Sequence, residues 1–399
     1  MTARIRPTIG FLTPQDPLSK KTWSGTTCSM YRALQSHCGE VTPLGPAPAG
    51  QLGGKLINRA LRFMGKRYDY SHGIAYAKRC ASFFEKQLQG KNLDLIFAPA
   101  ASSGLAFLNT AIPTVYASDA TFALLQDYYP EFSNLLPLSI RQGNSIEEAA
   151  LRKSRLVLFS SEWARRSAIE QYRVSANRVR VVPFGANLEW VPQRELLAKR
   201  PPSGGIKLLF LAVDWCRKGG DIALDTLSSL LEKGVDAQLT VCGCTPPPGI
   251  SHRRMTVIPF LSKDNPEQMK IFANLLLTSD FLLLPTRYDC TPVVISEANA
   301  YGVPVVTTDT GGVSSMIREG ENGAILPFSA RGDDYAHKII GLYRDAERYR
   351  QLRLSSRAAF DERFNWDAWA CEVGNLFSEI LEDNEPRMCR RLRRLRGAV

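Results

Sequence analysis

The chain has no Cys-x-x-Cys pair, no zinc-finger spacing and only four histidines, His37, His72, His252 and His337, none at ligand spacing from another. No Asp-x-Asp pair stands where a divalent metal would be held, so no metal requirement is expected. Nine cysteines lie scattered along the chain, and an odd, unpatterned set argues against a disulfide framework and for a reducing compartment. Neither the G-x-G-x-x-G dinucleotide fingerprint nor the G-x-x-x-x-G-K-[ST] phosphate loop occurs, which disfavours a dehydrogenase or a P-loop ATPase. The opening MTARIRPTIGFLT carries two arginines, but its apolar run is short and is interrupted by Pro7, so secretion is not expected and a cytoplasmic location is. Leu95 to Ser118 is uncharged, yet Pro99, Ser102, Ser103, Gly104, Asn109 and Pro113 break it into strand, loop, short helix and strand rather than a membrane span.

What is present suits a soluble α/β protein. At 399 residues, 44% of them hydrophobic, the chain exceeds one ordinary core and predicts two domains. Apolar runs recur at TIGFL (8–12), DLIFA (94–98), PTVYA (113–117), RLVLFS (155–160) and RVRVVPF (178–184), with helical patterns between them. Continuous apolar strands alternating with helices predict a parallel sheet covered on both faces. A Pro/Gly-punctuated stretch, KRPPSGG, follows, and the pattern restarts with IKLLFLAV (206–213), AQLTVCG (237–243), MTVIPFL (255–261), DFLLLPT (280–286) and VPVVTT (303–308). The expected organisation is a first Rossmann-like domain over 1–185, a linker over 186–205 and a second Rossmann-like domain over 206–365. A C-terminal helix over 366–386, with Trp366, Trp369, Val373 and Leu376 near one face, would pack back on the first domain, and a basic tail covers 387–399. Two such sheets direct the search for function to the loops at their strand C-terminal ends.

The stretch from Leu282 to Leu326 carries the most chemistry. A strand ends at Pro285, Asp289 stands in the loop, a helix opens near Thr291 or Pro292, and Glu297 lies nearly two turns inside it. Proline is well placed in a first turn, and N–H groups at Thr291, Val293 and Val294 would point at an anion. Carboxylates accept hydrogen bonds from polyol hydroxyls, so Asp289 and Glu297 could hold the sugar and the ribose on either side of a diphosphate. The bland alternative makes Asp289 a helix cap and Glu297 a solvated surface charge. In FLAVDWCRKGGDIALDTL (210–227), Arg217 and Lys218 stand between a strand and a helix opening at Gly219 or Gly220. They suit a diphosphate or, equally, a solvated basic turn.

The run Asp289, Glu297, Ala298, Ala300, Gly302, Pro304, Val305, Gly311, Gly312, Gly320 and Gly323 resembles the signature of retaining glycosyltransferase family 4, which has the GT-B fold. In that signature two glutamates are separated by seven residues, and here Asp289 replaces the first. The resemblance implies an α/β GT-B architecture, two Rossmann-like domains with parallel sheets facing a central cleft, and metal-independent transfer of a hexose from a nucleoside-diphosphate sugar, with no cofactor beyond that co-substrate. It implies that Asp289 contacts the sugar, Glu297 the ribose, and Arg217 and Lys218 the pyrophosphate, although the family's Arg and Lys lie several residues apart and here they are adjacent. It further implies that the backbone of Phe260 and Leu261 meets the nucleobase. The family's glycine-rich loop after the first strand corresponds to Ser24, Gly25 and Thr26, of which only Gly25 is glycine. Asp119 stands near the place where many relatives have a histidine, and an N-cap role for it is equally open.

The net charge of +11 is partly local, since Arg387, Arg390, Arg391, Arg393, Arg394 and Arg396 lie in the last thirteen residues with no acid among them. The stretch 55–67 sets Lys55, Arg59, Arg62 and Lys66 at helical spacing among apolar residues. It could lie on anionic lipid or pack on its own domain. The expected partners are a nucleotide-sugar donor and a saccharide or lipid-linked acceptor, with an anionic membrane surface through 55–67 and 387–399. Nucleic acid is not expected. Two rival readings are an epimerase or phosphorylase of the same plan and a non-catalytic protein that binds through its basic surface.

Overall fold

The computed structural model of the chain describes residues 6–48, 58–59, 61–198 and 204–384. They form two compact units: residues through Phe159, Ala164–Val182 and those from Trp369 on make the first, and Ser160–Trp163 with Pro183–Ala368 make the second.

The first unit is built on six strands, β1 (Thr8–Phe11), β2 (Glu40–Pro43), β3 (Leu95–Pro99), β4 (Thr114–Ser118), β5 (Leu156–Phe159) and β6 (Val179–Val181). Their order is β2-β1-β3-β4-β5-β6, every neighbouring pair parallel. Strands β3, β4 and β5 are buried at every position, which is why they read as unbroken apolar runs. Strand β2 escapes that pattern. It reads EVTP, lies at the sheet edge with its two end residues exposed, and is held by main-chain pairing with β1. Helices α1 (Thr26–Ala33), α2 (Ile74–Leu88) and α3 (Pro137–Lys153) belong to this unit.

The second unit has strands β7 (Ile206–Leu211), β8 (Ala237–Cys242), β9 (Met255–Ile258), β10 (Phe281–Leu284), β11 (Val305–Thr308) and β12 (Gly323–Leu326), again all parallel. Strand β12, GAIL, is the second one missing from the apolar pattern, being a short edge strand that opens on glycine. Helices α4 (Gly220–Glu232), α5 (Pro266–Thr278), α6 (Val293–Ala300), α7 (Gly332–Tyr343) and α8 (Ala346–Arg363) cover the sheet. One face packs Phe210, Leu227, Tyr335 and Ile339 into a core, and the other packs Leu209, Leu282, Ile295 and Phe360. The strand order β12-β11-β10-β7-β8-β9 means that the chain runs outward from β7 to β9 and then returns to lay β10 beside β7. Consecutive connections leave the sheet in opposite directions at that point, which opens a crevice between the loops after β7 and β10.

Helix α9 (Trp366–Asn384) contributes its first residues to the second unit and the remainder to the first. Trp369, Val373, Phe377 and Ile380 are its buried stripe, and Trp369 and Phe377 meet Phe97 with ring centroids 5.8 and 6.1 Å apart. Burying each of these side chains contributes roughly 1.5–3 kcal/mol. The expected face differs in two positions. Leu376 lies at the edge of the stripe, only partly buried, and Trp366 stacks on Phe184 in the second unit. The stripe advances by four, four and three residues, and Leu376 falls beside it.

Leu95 to Ser118 resolves into β3, a short helix at Ser102–Leu105 and β4, and no helix among the described residues is long and apolar enough to cross a membrane. The basic stretch 55–67 is described only in part, since 55–57 and 60 lie outside the described residues. Its helical spacing does not extend through Lys66. A 3₁₀ turn at Arg62–Met64 ends at Gly65, whose φ of +61° turns the chain, and Arg67 bridges to Leu135. Phe63 and Met64 are 94% and 70% exposed. The tail 387–399 lies outside the described residues, as does 199–203 of the expected linker, which includes a helical turn at Arg194–Ala198.

Candidate functional site

At the crevice between β7 and β10 the second unit brings Arg217, Lys218 and Asp289 together. The loop after β7 is tied by the Arg217 N–H donating to Asp214 Oδ1 at 2.8 Å and the Gly220 N–H donating to the Trp215 carbonyl at 2.8 Å. It then turns at Gly219, whose φ is +75° and where a Cβ would stand 2.1 Å from the Pro285 carbonyl oxygen. Only glycine fits that approach of one backbone to another. The close approach brings the two loops together, and the Arg287 N–H donates to the Arg217 carbonyl at 2.8 Å.

Lys218 Nζ donates to Asp289 Oδ2, and Arg217 Nη1 lies 3.8 Å from the same oxygen. Lys218 and Asp289 are each only 7% exposed. Burial pulls the Lys218 ammonium below its ordinary pKa, the Asp289 carboxylate opposes that pull, and Arg217 reinforces it, so the net direction is downward. The basic turn is therefore not a solvated one. Two cations converge on one buried carboxylate at the end of the crevice, where a diphosphate could take up positive charge and a sugar hydroxyl could donate to the carboxylate.

Asp289 is not the cap of α6, whose N-cap is Pro292 with no side-chain cap hydrogen bond. The helix opens at Val293, later than expected, so Thr291 and Pro292 precede its first turn and Val293 and Val294 form it. Thr291 Oγ1 shares a 2.5 Å hydrogen bond with Ser160 Oγ. First-turn N–H groups have no partner within their own helix and favour an anion, an argument that passes to Val293 and Val294. Glu297 is then a little over one turn inside the helix, and it is 1% exposed rather than solvated.

Glu297 is held by a residue the sequence reading did not single out. Lys263 Nζ donates to Glu297 Oε1 and to the Asn187 carbonyl at 3.3 Å, and it lies 5.5 Å from the centroid of the Phe272 ring. Asn187 is in turn fixed by its side-chain oxygen, which accepts from Trp366 Nε1 at 3.1 Å. The available signal was position, because Lys263 follows Leu261 by two residues in the loop after β9. In that loop the Phe260 ring is 64% exposed and Leu261 packs against the core beneath α6.

In the first unit, Trp23, Ser24 and Gly25 take positive φ in succession, +47°, +56° and +87°, and Gly25 is the N-cap of α1, which Thr26 opens. Two non-glycine residues in that region cost about 1–3 kcal/mol each. Trp23 Nε1 donates to Asp119 Oδ2 at 3.1 Å, joining the loop after β1 to the loop after β4. Asp119 does not cap the next helix, whose N-cap is Thr121. The first unit also holds a titratable cluster that the sequence does not single out. Asp69 Oδ2 and His72 Nδ1 are 2.6 Å apart, and the Tyr116 hydroxyl donates to the buried Glu147 carboxyl at 3.3 Å. Burial raises Glu147 to about 7, against the opposing effect of nearby His72.

A family model described as Glycosyl transferases group 1 matches residues 205–345, and one described as Glycosyltransferase Family 4 matches residues 26–190. A D-inositol 3-phosphate glycosyltransferase of Corynebacterium aurimucosum is 24% identical over 262 residues, which cover 60% of each protein, so the chain spans about three fifths of that curated relative's length. Among solved structures, sucrose-phosphate synthase from Thermosynechococcus elongatus superposes with a TM-score of 0.65 at 16% identity, covering 95% of this chain and 100% of that one. The Anabaena protein HepE in complex with UDP gives 0.61 at 15% identity, covering 93% and 99%. Those likenesses show a shared GT-B fold. Together with the two family matches on either side of the linker, and the carboxylates and cations set on the second parallel sheet, they place the chain in glycosyltransferase group 1, family 4.

Proposed function

We propose that this chain is a retaining hexosyltransferase that takes its sugar from a nucleoside-diphosphate donor and gives it to a saccharide or lipid-linked acceptor in polysaccharide or glycolipid assembly. The observation that carries the reading is the convergence of Lys218 and Arg217 on buried Asp289 at the β7/β10 crevice. In this reading the arriving diphosphate takes over positive charge that Lys218 and Arg217 otherwise direct at Asp289. The Asp289 carboxylate is then released to orient the sugar hydroxyls. Arg217, Lys218 and the first turn of α6 at Val293 and Val294, with Thr291 and Pro292 leading into it, stabilise the departing diphosphate. No metal ion is needed for that charge.

The acceptor hydroxyl oxygen bonds to the anomeric carbon on the face that the diphosphate leaves, the bond from carbon to phosphate oxygen breaks, and that phosphate oxygen takes the hydroxyl proton. Positioning and charge stabilisation supply most of the rate. Glu297 holds the ribose, Phe260 and Leu261 meet the base, and Asp119 with Ser24, Gly25 and Thr26 serves donor phosphate and acceptor. Exposed Phe63 and Met64 beside Lys66 and Arg67 support peripheral contact with anionic lipid, each basic residue contributing about 1 kcal/mol.

The test is a thermal-shift screen against UDP, GDP, ADP and their sugar conjugates, with magnesium and with EDTA, on the wild type and Glu297→Ala. A rise with one nucleotide that is indifferent to magnesium and lost in the variant is expected. No rise with any nucleotide, or an undiminished rise in Glu297→Ala, refutes the assignment of the donor site.

A further inference from the structure

The pairing of Lys263 with Glu297 has a chemistry of its own. A ribose hydroxyl both donates and accepts, whereas an ionised carboxylate only accepts. Glu297 alone can take the proton of a hydroxyl's hydrogen bond but gives nothing back to that hydroxyl's oxygen. An ammonium beside it supplies the missing donor. Lys263 has three N–H groups, and two are engaged, one by Glu297 and one by the Asn187 carbonyl. The lysine is braced for the task, since Asn187 is anchored by the Trp366 indole and the lysine lies 5.5 Å from the Phe272 ring centroid.

We propose that Lys263 is a second ribose-binding residue of this chain: it holds the Glu297 carboxylate in place and turns its third N–H to a ribose hydroxyl oxygen, so that the site selects ribonucleoside diphosphates over those lacking the 2′- and 3′-hydroxyls. This rests on the reading of Glu297 as the ribose carboxylate. Lys263 lies outside the motif that carries Glu297, in the loop after β9. The opposing view makes Lys263 a counter-ion only, present because Glu297 is 1% exposed and a buried carboxylate requires compensation. The two views part on one quantity. Where Glu297 is already glutamine, a counter-ion has no carboxylate left to hold and its loss leaves the ribo preference as it was, whereas loss of a ribose ligand lowers that preference further.

Isothermal titration of UDP, GDP and ADP, each beside its 2′,3′-dideoxy analogue, measures that quantity on the wild type, Lys263→Arg, Lys263→Gln, Glu297→Gln and the double variant Lys263→Gln/Glu297→Gln. For the nucleotide that binds best, the wild type is expected to prefer the ribo form by well over tenfold. Lys263→Gln loses about tenfold of that preference, the worth of one charge-assisted hydrogen bond. Lys263→Arg keeps the preference within about threefold, and dideoxy affinity changes little throughout. The double variant leaves no buried unpaired charge, so it reads out the role even if Lys263→Gln folds poorly, and it is expected to show less preference than Glu297→Gln alone. A Lys263→Gln protein with the wild-type preference, or a double variant no weaker in preference than Glu297→Gln, overturns the role of Lys263. Undiminished preference in Glu297→Gln overturns instead the assignment of Glu297 to the ribose, and the role of Lys263 with it.

Discussion

Replacing Lys218 by methionine removes the ammonium from a carboxylate that is 7% exposed. Breaking a buried pair on one side costs about 3–5 kcal/mol, because the remaining charge is left uncompensated. Here Arg217 stays 3.8 Å from Asp289 Oδ2 and offsets part of that, which brings the expected loss to roughly 2–4 kcal/mol. For a unit of this size, each kcal/mol moves the melting temperature by roughly 2–4 °C, so Lys218→Met is expected to melt about 5–15 °C below the wild type. Asp289→Leu strands the lysine instead. Burial already pulls the Lys218 pKa down and removing the carboxylate takes away the opposing effect, so the lysine gives up its charge more readily than a carboxylate held by Arg217 would, and the expected loss is smaller, about 1–3 kcal/mol. The double variant Lys218→Met/Asp289→Leu replaces the pair by apolar side chains of similar volume and is expected within about 1 kcal/mol of the wild type. Calorimetry of all four proteins at pH 7.5, without nucleotide, closes the cycle. Strictly additive losses, to within about 0.5 kcal/mol, would refute the buried pair as the element that organises the crevice.

Two further outcomes follow from the structure. Glu147 is raised by burial from 4.5 to about 7, so between those values the folded state holds a proton that the unfolded state releases, and stability falls as pH rises across that window. Glu147→Gln is therefore expected to gain up to about 3 kcal/mol at pH 8 and nothing at pH 4.5, and a gain of equal size at both pH values would contradict the buried neutral carboxyl. Gly219→Ala sets a methyl 2.1 Å from the Pro285 carbonyl at a φ of +75°, for an expected loss of about 3 kcal/mol or more together with nucleotide binding. Gly234→Ala, with a similar φ of +76° and open space, is expected to cost only about 1 kcal/mol, and equal losses in urea titration would show that backbone strain alone decides both.

Much of the architecture was legible in the sequence because buried parallel strands must be apolar on both faces, and β3, β4, β5, β7 and β10 announce themselves in that way. Strands β2 and β12 do not. They are short edge strands held by main-chain pairing, which any side chain permits, and so EVTP and GAIL carry no strand signal. The spacing from Asp289 through Glu297 to Gly323 pointed to the family, since residues on one loop and one helix keep their relation in sequence. Which cation meets which carboxylate is another matter. Lys218 and Asp289 are 71 positions apart, Lys263 and Glu297 34, and Trp23 and Asp119 96. Each pair forms because the sheet order sets the loops of separate strands together at strand C-terminal ends, and that order depends on how the crossovers pack. The sequence by itself determined the strand–helix alternation, the two sheets and the carboxylate motif, all local properties of residue type and spacing. Only the tertiary structure decided that Asp289 and Glu297 are buried ion-pair partners rather than cap and surface charge, because burial and pairing belong to the surroundings that distant segments supply.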